Sequence, residues 1–143
     1  MNSKRIHGTS IALGENGLLI TGESGSGKSD LALRLIDSGA TLISDDLTIC
    51  MKKETSIHLF SMEKICGLIE IRGIGLMKVP YIENIKLSMI IQLVDKEIDR
   101  LPKIRKKKLL GLNFPLIKIF SKEASAVAKI KLKLYEEEYN CER

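Results

Sequence analysis

At 143 residues, with 44% hydrophobic and only 4% aromatic residues, the chain has the length and apolar content of one globular domain, its core filled by Ile and Leu rather than by rings. Charged residues at 29% exclude a fibrous or disordered chain, and no apolar run approaches the ~20 residues that a membrane span needs. The formal net charge of +5 is unevenly placed. Arg100, Lys103, Arg105, Lys106, Lys107 and Lys108 crowd one short segment, which reads either as a solvated basic loop or as a surface for anionic partners such as nucleotides, acidic proteins or nucleic acid.

In chain order, Met1 to Lys4 lacks the apolar stretch of a signal peptide. Ser10 to Leu13 and Gly17 to Thr21 read as two short strands joined by a turn from Gly14 to Gly17. A glycine-rich segment, Gly22 to Gly27, follows directly. From Lys28 the pattern becomes helical, with Leu31, Ala32, Leu35 and Ile36 on one face and Gly39 where a C-terminal glycine is expected. Thr41 to Ser44 is a short strand leading into Asp45-Asp46, which completes a βαβ-like order and predicts an α/β protein. Leu68 to Ile74 reads as a strand end and a loop, Ile85 to Val94 as a central strand, and Leu116 to Phe120 as another strand. From Lys122 onward Ile130, Leu132 and Leu134 alternate like an edge strand, but the Ala, Glu, Lys and Leu content favours a terminal helix. Cys50, Cys66 and Cys141 are odd in number and lack metal-ligand spacing, so they read as free thiols in a reducing, cytoplasmic setting.

Chemistry concentrates in Gly22-Glu23-Ser24-Gly25-Ser26-Gly27-Lys28-Ser29, which fits the Walker A spacing G-x-x-x-x-G-K-[ST] without a mismatch. Glycines let backbone N–H groups converge on phosphate oxygens where a Cβ would obstruct them. The next helix adds its positive end. Lys28 can reach the β- and γ-phosphates, and the Ser29 hydroxyl can ligate Mg²⁺. Of Asp45 and Asp46, one carboxylate can contact the metal and the other can accept a proton from an attacking hydroxyl; helix capping is the competing reading. Glu70 and Arg72, flanking Ile71, read on spacing alone as a surface ion pair or as a metal and phosphate pair. Spacing assigns nothing to His7 or His58, the two histidines.

Taken in order, His7-Gly8, the Walker A segment, Gly39 to Asp46 and Leu68-Ile69-Glu70-Ile71-Arg72-Gly73-Ile74-Gly75 resemble HPr kinase/phosphorylase, from about His7 to Pro115. That bacterial family phosphorylates a serine of HPr, the phosphocarrier of the sugar phosphotransferase system, and can reverse the step with inorganic phosphate. The resemblance implies a single α/β P-loop kinase domain over residues 1–143, with a mixed sheet, flanking helices and no separate N-terminal domain. It further implies ATP and Mg²⁺ as cofactors and an HPr-like protein as partner. A homo-oligomer, hexameric in the family, is implied too, with neither nucleic acid nor membrane as partner. In that reading Lys28 contacts phosphate, Ser29 and Glu70 hold the metal, Asp46 is the proton acceptor, and His7 and Arg100 are active-site residues, with Asp45 and Arg72 supporting. The family's late P-V-x-x-G-R-N loop is poorly matched: Phe120 to Ala124 has neither its glycine nor its arginine, and the A-A-M-N segment is missing, which sets the expectation against the reverse reaction. A non-catalytic ATP-binding regulatory module and a small-molecule P-loop kinase are the rival functions.

Overall fold

The computed structural model describes residues 2–96 and 98–139, so the expectation for Cys141 lies outside the described residues. The strands are β1 (Ser3–His7), β2 (Thr9–Leu13), β3 (Asn16–Thr21), β4 (Thr41–Ser44), β5 (Leu47–Lys53), β6 (Ser56–Ser61), β7 (Leu68–Ile71), β8 (Gly75–Lys78), β9 (Ile85–Val94), β10 (Arg105–Leu109) and β11 (Leu112–Phe120). The helices are α1 (Lys28–Asp37) and α2 (Ala126–Tyr139). Nine strands form one mixed sheet in the order β1-β5-β6-β9-β3-β2-β4, with β11 and its partner β10 branching from β9, while β7 and β8 form a separate hairpin.

The long apolar strand β9 is the axis. Its start pairs with β6, its second half runs parallel to β11, and β3 lies parallel along the other edge. The β3–β9 register slips between Gly17 and Leu18, where Leu87 and then Met89 are the partners. The slip leaves Ser88 as the extra residue, its hydroxyl donating to Asn16 Oδ1 at 2.8 Å. It also lets Leu87 and Met89, which strict alternation would put on one face, enter different cores.

Two cores result. Ile11, Leu18, Ile20, Met89 and Ile91 pack under α1 and α2 on one face. On the other, Ala12, Leu19 and Ile43 meet Cys50, Ile57 and Leu59 of the β5–β6 arm. The expected flanking helices therefore cover one face only, and strands cover the second. A run such as Leu18-Leu19-Ile20 is apolar at every position because both faces of β3 are buried.

The β3–α1–β4 order is as expected, but β2 lies between β3 and β4 and is antiparallel to both. Helix α1 buries Leu31, Ala32 and Leu35 and ends through Gly39, which takes a left-handed φ of +115° while Ala40 N–H donates to Leu35 O at 3.0 Å. In α2 the buried residues Ala126, Ile130 and Leu134 recur every four positions, so helical spacing prevails over the alternation that included Leu132. The basic run is no plain loop. Arg105 to Lys108 form most of β10, with exposed side chains. Among the described residues no helix is long and apolar enough to cross a membrane, and Cys50 and Cys66 are free thiols.

The pairing directions bring the carboxyl ends of β3, β4, β9 and β11 to one edge of the sheet, where β2 begins. Ligands of α/β sheets bind at such an edge.

Candidate functional site

The loop from Gly22 to Gly27 leaves β3 at this edge and opens α1. Gly25 and Gly27 hold φ of +79° and +101°, conformations in which an L side chain is strained. Ser26 N–H closes a tight turn onto Glu23 O at 3.0 Å, and Leu31 N–H makes its helical bond to Gly27 O at 2.9 Å. The Lys28 ammonium folds back onto the loop, donating to the carbonyls of Gly22 at 3.2 Å and Glu23 at 3.1 Å. A Cβ on Gly22 would stand 2.6 Å from Ser26 Oγ, and that buried hydroxyl has no hydrogen-bond partner.

Ser29, at the start of α1, joins the loop to the acidic pair: its hydroxyl donates to Asp45 Oδ1 at 2.6 Å. Asp45 is buried, and it also accepts from Thr9 Oγ1 at 3.0 Å and, on Oδ2, from the Glu70 backbone N–H at 3.0 Å. Hydrogen bonds to a charged acceptor contribute about 1.5–3 kcal/mol each, so three of them together match the several kcal/mol that burying a carboxylate costs. The Asp45 carboxyl is thereby locked to three segments at once.

Asp46 differs. It is exposed, and its backbone takes a left-handed φ of +67°. Its N–H donates to Thr9 Oγ1 at 3.1 Å and its carbonyl accepts from Gly8 N–H at 3.0 Å. Gly8 is tight, since a Cβ there would meet Ile20 O at 2.8 Å. His7 ends β1 opposite Leu47, the neighbour of Asp46, so the histidine and the exposed acid share one strand end.

Glu70 and Arg72 are both exposed, but Arg72 lies in the turn after β7 rather than on the strand, so the two do not share a strand face as the spacing suggested. Arg100 is exposed in the loop after β9 and is absent from the wall of the cleft beside the glycine loop. That cleft, about 1120 Å³, opens between the glycine loop and the ends of β9 and β11, and the basic run contributes Lys103 and Arg105 to it. Thr9 was missed by sequence reasoning. It touches both acids, yet a threonine at a strand start carries no signal in one sequence.

Ser29, Asp45 and Glu70 are hydroxyl and carboxylate donors of the kind Mg²⁺ takes. Among the described residues no cluster of three or more His, Cys, Asp or Glu could cage a metal alone. This donor set fits Mg²⁺, which is usually held by one or two carboxylates together with substrate phosphates and water.

Fold and site together define an α/β domain in which a glycine-rich loop, the helix it opens and an acidic pair meet at one sheet edge. The chain belongs to the HPr Serine kinase C-terminal domain family, whose model matches residues 1–132. It is 32% identical over 126 residues to the HPr kinase/phosphorylase of Chloroherpeton thalassium, covering 79% of this chain and 37% of that protein. With the HPr kinase/phosphorylase of Mycoplasmopsis pulmonis it shares 30% identity over 139 residues, 88% of this chain and 45% of that one. The chain thus spans less than half the length of these relatives. The solved structure of the Hpr(Ser) kinase/phosphatase from Coxiella burnetii superposes with a TM-score of 0.85 at 26% identity, covering 98% of this chain and 99% of that chain.

Proposed function

We propose that the chain is an ATP- and Mg²⁺-dependent cytoplasmic kinase domain that phosphorylates a serine of an HPr-like phosphocarrier protein and so regulates carbohydrate use. The observation that carries this reading is the 2.6 Å bond from Ser29, last residue of the Walker A segment, to Asp45. It fastens the acidic pair to the phosphate loop.

In this reading the backbone N–H groups from Gly22 to Gly27 and the Lys28 ammonium hold the β- and γ-phosphates, with Ser26 Oγ an additional donor inside the loop. Ser29 and Glu70 are the residues that would hold Mg²⁺, and Asp45 fixes Ser29. The bound metal would offset charge on the phosphate oxygens. Asp46, exposed beside His7, takes the proton of the acceptor serine as its oxygen attacks the γ-phosphorus. The bond from that phosphorus to the β–γ bridging oxygen breaks, and ADP leaves with the electron pair. His7, paired with Leu47 next to Asp46, orients the acceptor in this reading, a role that comes from the family resemblance. Arg72 supports the acidic side, and Arg100 joins the proposal through the family resemblance alone. A homo-oligomer, hexameric as in the resembled family, belongs to the same proposal.

The test is incubation with γ-labelled ATP, Mg²⁺ and HPr. Label on an HPr serine is the expected outcome. ATP binding without transfer to any acceptor points instead to a regulatory ATP-binding module, and label on a small anionic acceptor points to a small-molecule kinase.

A further inference from the structure

On one flank the sheet ends in a segment with no buried residue. From Arg100 to Lys108 the chain holds six cations, Leu101, Pro102 and Ile104, with no acid, and every one of these residues is exposed. The second half of the segment is most of β10, whose one strand partner among the described residues is β11. The outer edge of β10 is therefore open. No ion pair among the described residues takes up any of the six cations.

Leu101 is 84% and Ile104 88% exposed, the highest values of any large apolar side chain among the described residues. Single exposed aliphatics are ordinary, but two of them three positions apart amid six cations make a composite surface. The acids nearest in sequence, Asp95 and Asp99, line the cleft beside the glycine loop, as does Glu137, which pairs with Lys133 at 3.6 Å. Lys103, Ile104 and Arg105 border that cleft, whereas Leu101 and Lys106 to Lys108 lie outside its wall. Lys52 extends the positive surface, its Nζ standing 3.6 Å from where a Cβ on Gly111 would lie in the β10–β11 turn.

Cations beside exposed aliphatics are the two signals that hold a protein at an anionic bilayer. The aliphatics enter the boundary below the headgroups, and the cations are drawn to the negative surface. A nucleic-acid backbone would engage the cations alone, and the segment offers no aromatic ring for base stacking. We propose that residues 100–108 dock on an anionic phospholipid surface, Leu101 and Ile104 inserting and the β10 cations meeting the headgroup anions. The expectation of no membrane partner came from the family resemblance, not from these residues. In the strand order β10-β11-β9-β3-β2-β4, this surface and Asp46, just after β4, stand at opposite ends, five strand spacings or roughly 24 Å apart. A docked domain thus keeps its Asp46 side open, and the inference is independent of the kinase reading.

The test is sedimentation of the protein with vesicles of mixed phosphatidylserine and phosphatidylcholine, and with phosphatidylcholine alone. Wild-type protein is expected to bind the mixed vesicles at least roughly tenfold more tightly, and less so as salt rises. Lys106→Gln/Lys107→Gln/Lys108→Gln should lose roughly 10²-fold of that affinity. Leu101→Ser/Ile104→Ser should lose about tenfold or more. All the substituted residues are exposed, and circular dichroism verifies that the fold is kept. Arg100 stays unchanged, because the resemblance places it in the active site. The chain has no tryptophan, so Leu101→Trp reports from that position alone, and its emission should shift to the blue on the mixed vesicles. Binding that ignores phosphatidylserine, wild-type affinity in either multiple variant, or unshifted emission from vesicle-bound Leu101→Trp overturns the proposal. So does a duplex oligonucleotide that displaces wild-type protein from the mixed vesicles, which would give the segment to nucleic acid. If wild-type protein pellets with neither vesicle, the proposal falls and an acidic protein becomes the partner to test.

Discussion

Asp45 and Asp46 are neighbours with opposite circumstances, and substitution should separate them. Asp45 is buried with three donors converging on it, including the Glu70 N–H. Asp45→Asn puts an NH₂ group among those donors, so one is left buried without an acceptor. Urea denaturation should show a loss of about 1–3 kcal/mol. Asp46 is exposed at φ +67°, a conformation that Asn tolerates well. Asp46→Asn should therefore fold normally and bind ATP, yet turn over roughly 10²-fold more slowly, the scale of a lost general base. Near wild-type phosphoryl transfer by Asp46→Asn would move that role elsewhere.

Among the elements, β3 and β9 meet so closely that one glycine is required on steric grounds. A Cβ on Gly17 would lie 2.8 Å from Lys86 O and 2.9 Å from Leu59 Cδ1. Gly17→Ala must push the strands apart, and thermal denaturation should register a loss of about 1–3 kcal/mol; an unchanged melting temperature would contradict the packing. The β1–β5 pairing makes a pH-dependent claim. Burial pushes the Cys50 thiol up from 9.0 to about 11, against a weaker opposite pull from Lys4 across the strand pair. With the folded value raised, the stability linked to this group is intact below pH 9 and is lost as the pH rises toward 11, by about 2–3 kcal/mol. Cys50→Ala should remove that alkaline component from the stability–pH curve. The elements that the sequence reveals are those with strong punctuation. The Gly14 to Gly17 turn marks β2 and β3, Gly39 ends α1, and ten apolar-rich residues mark β9. The strands β1 and β10 escape because exposed edge strands are polar, and lysines on an edge discourage further pairing. The arm β5–β6 escapes because its Thr, Lys and Ser residues blur the alternation that buries Cys50, Ile57 and Leu59.

At the scale of the whole molecule, the position of fixed positive charge sets an expectation for the direction of the proposed reaction. The Walker A segment and the acids are legible as motifs, but their joining is not, because Ser29, Thr9 and the Glu70 N–H reach Asp45 only through tertiary structure. The charge distribution is likewise a tertiary property. Reversing the proposed reaction requires inorganic phosphate to attack a phosphoserine, so two anions must meet beside Asp46, and prearranged donors must offset their repulsion. The segment from Phe120 to Ala124 lacks arginine. Arg34 does reach this segment, but its guanidinium is already committed to Ser121 O at 2.8 Å and to Asp30 at 3.2 Å. Arg105 lines the cleft, on the side of the loop away from Asp46. Arg72 and Arg100 are both exposed, on the turn after β7 and in the loop after β9, and an exposed side chain is a poor prearranged donor. Lys118 and Lys122 also line the cleft, and an ammonium does not replace the planar fork of a guanidinium. Forward phosphorylation should therefore exceed phosphorolysis by a wide margin. The measurement supplies phosphoserine-HPr, Mg²⁺ and millimolar phosphate without ATP, and follows pyrophosphate release. Pyrophosphate forming at a rate comparable to forward transfer would mean that the lysines, Arg72 or Arg100 supply the charge, and Arg72→Ala and Arg100→Ala would then show which.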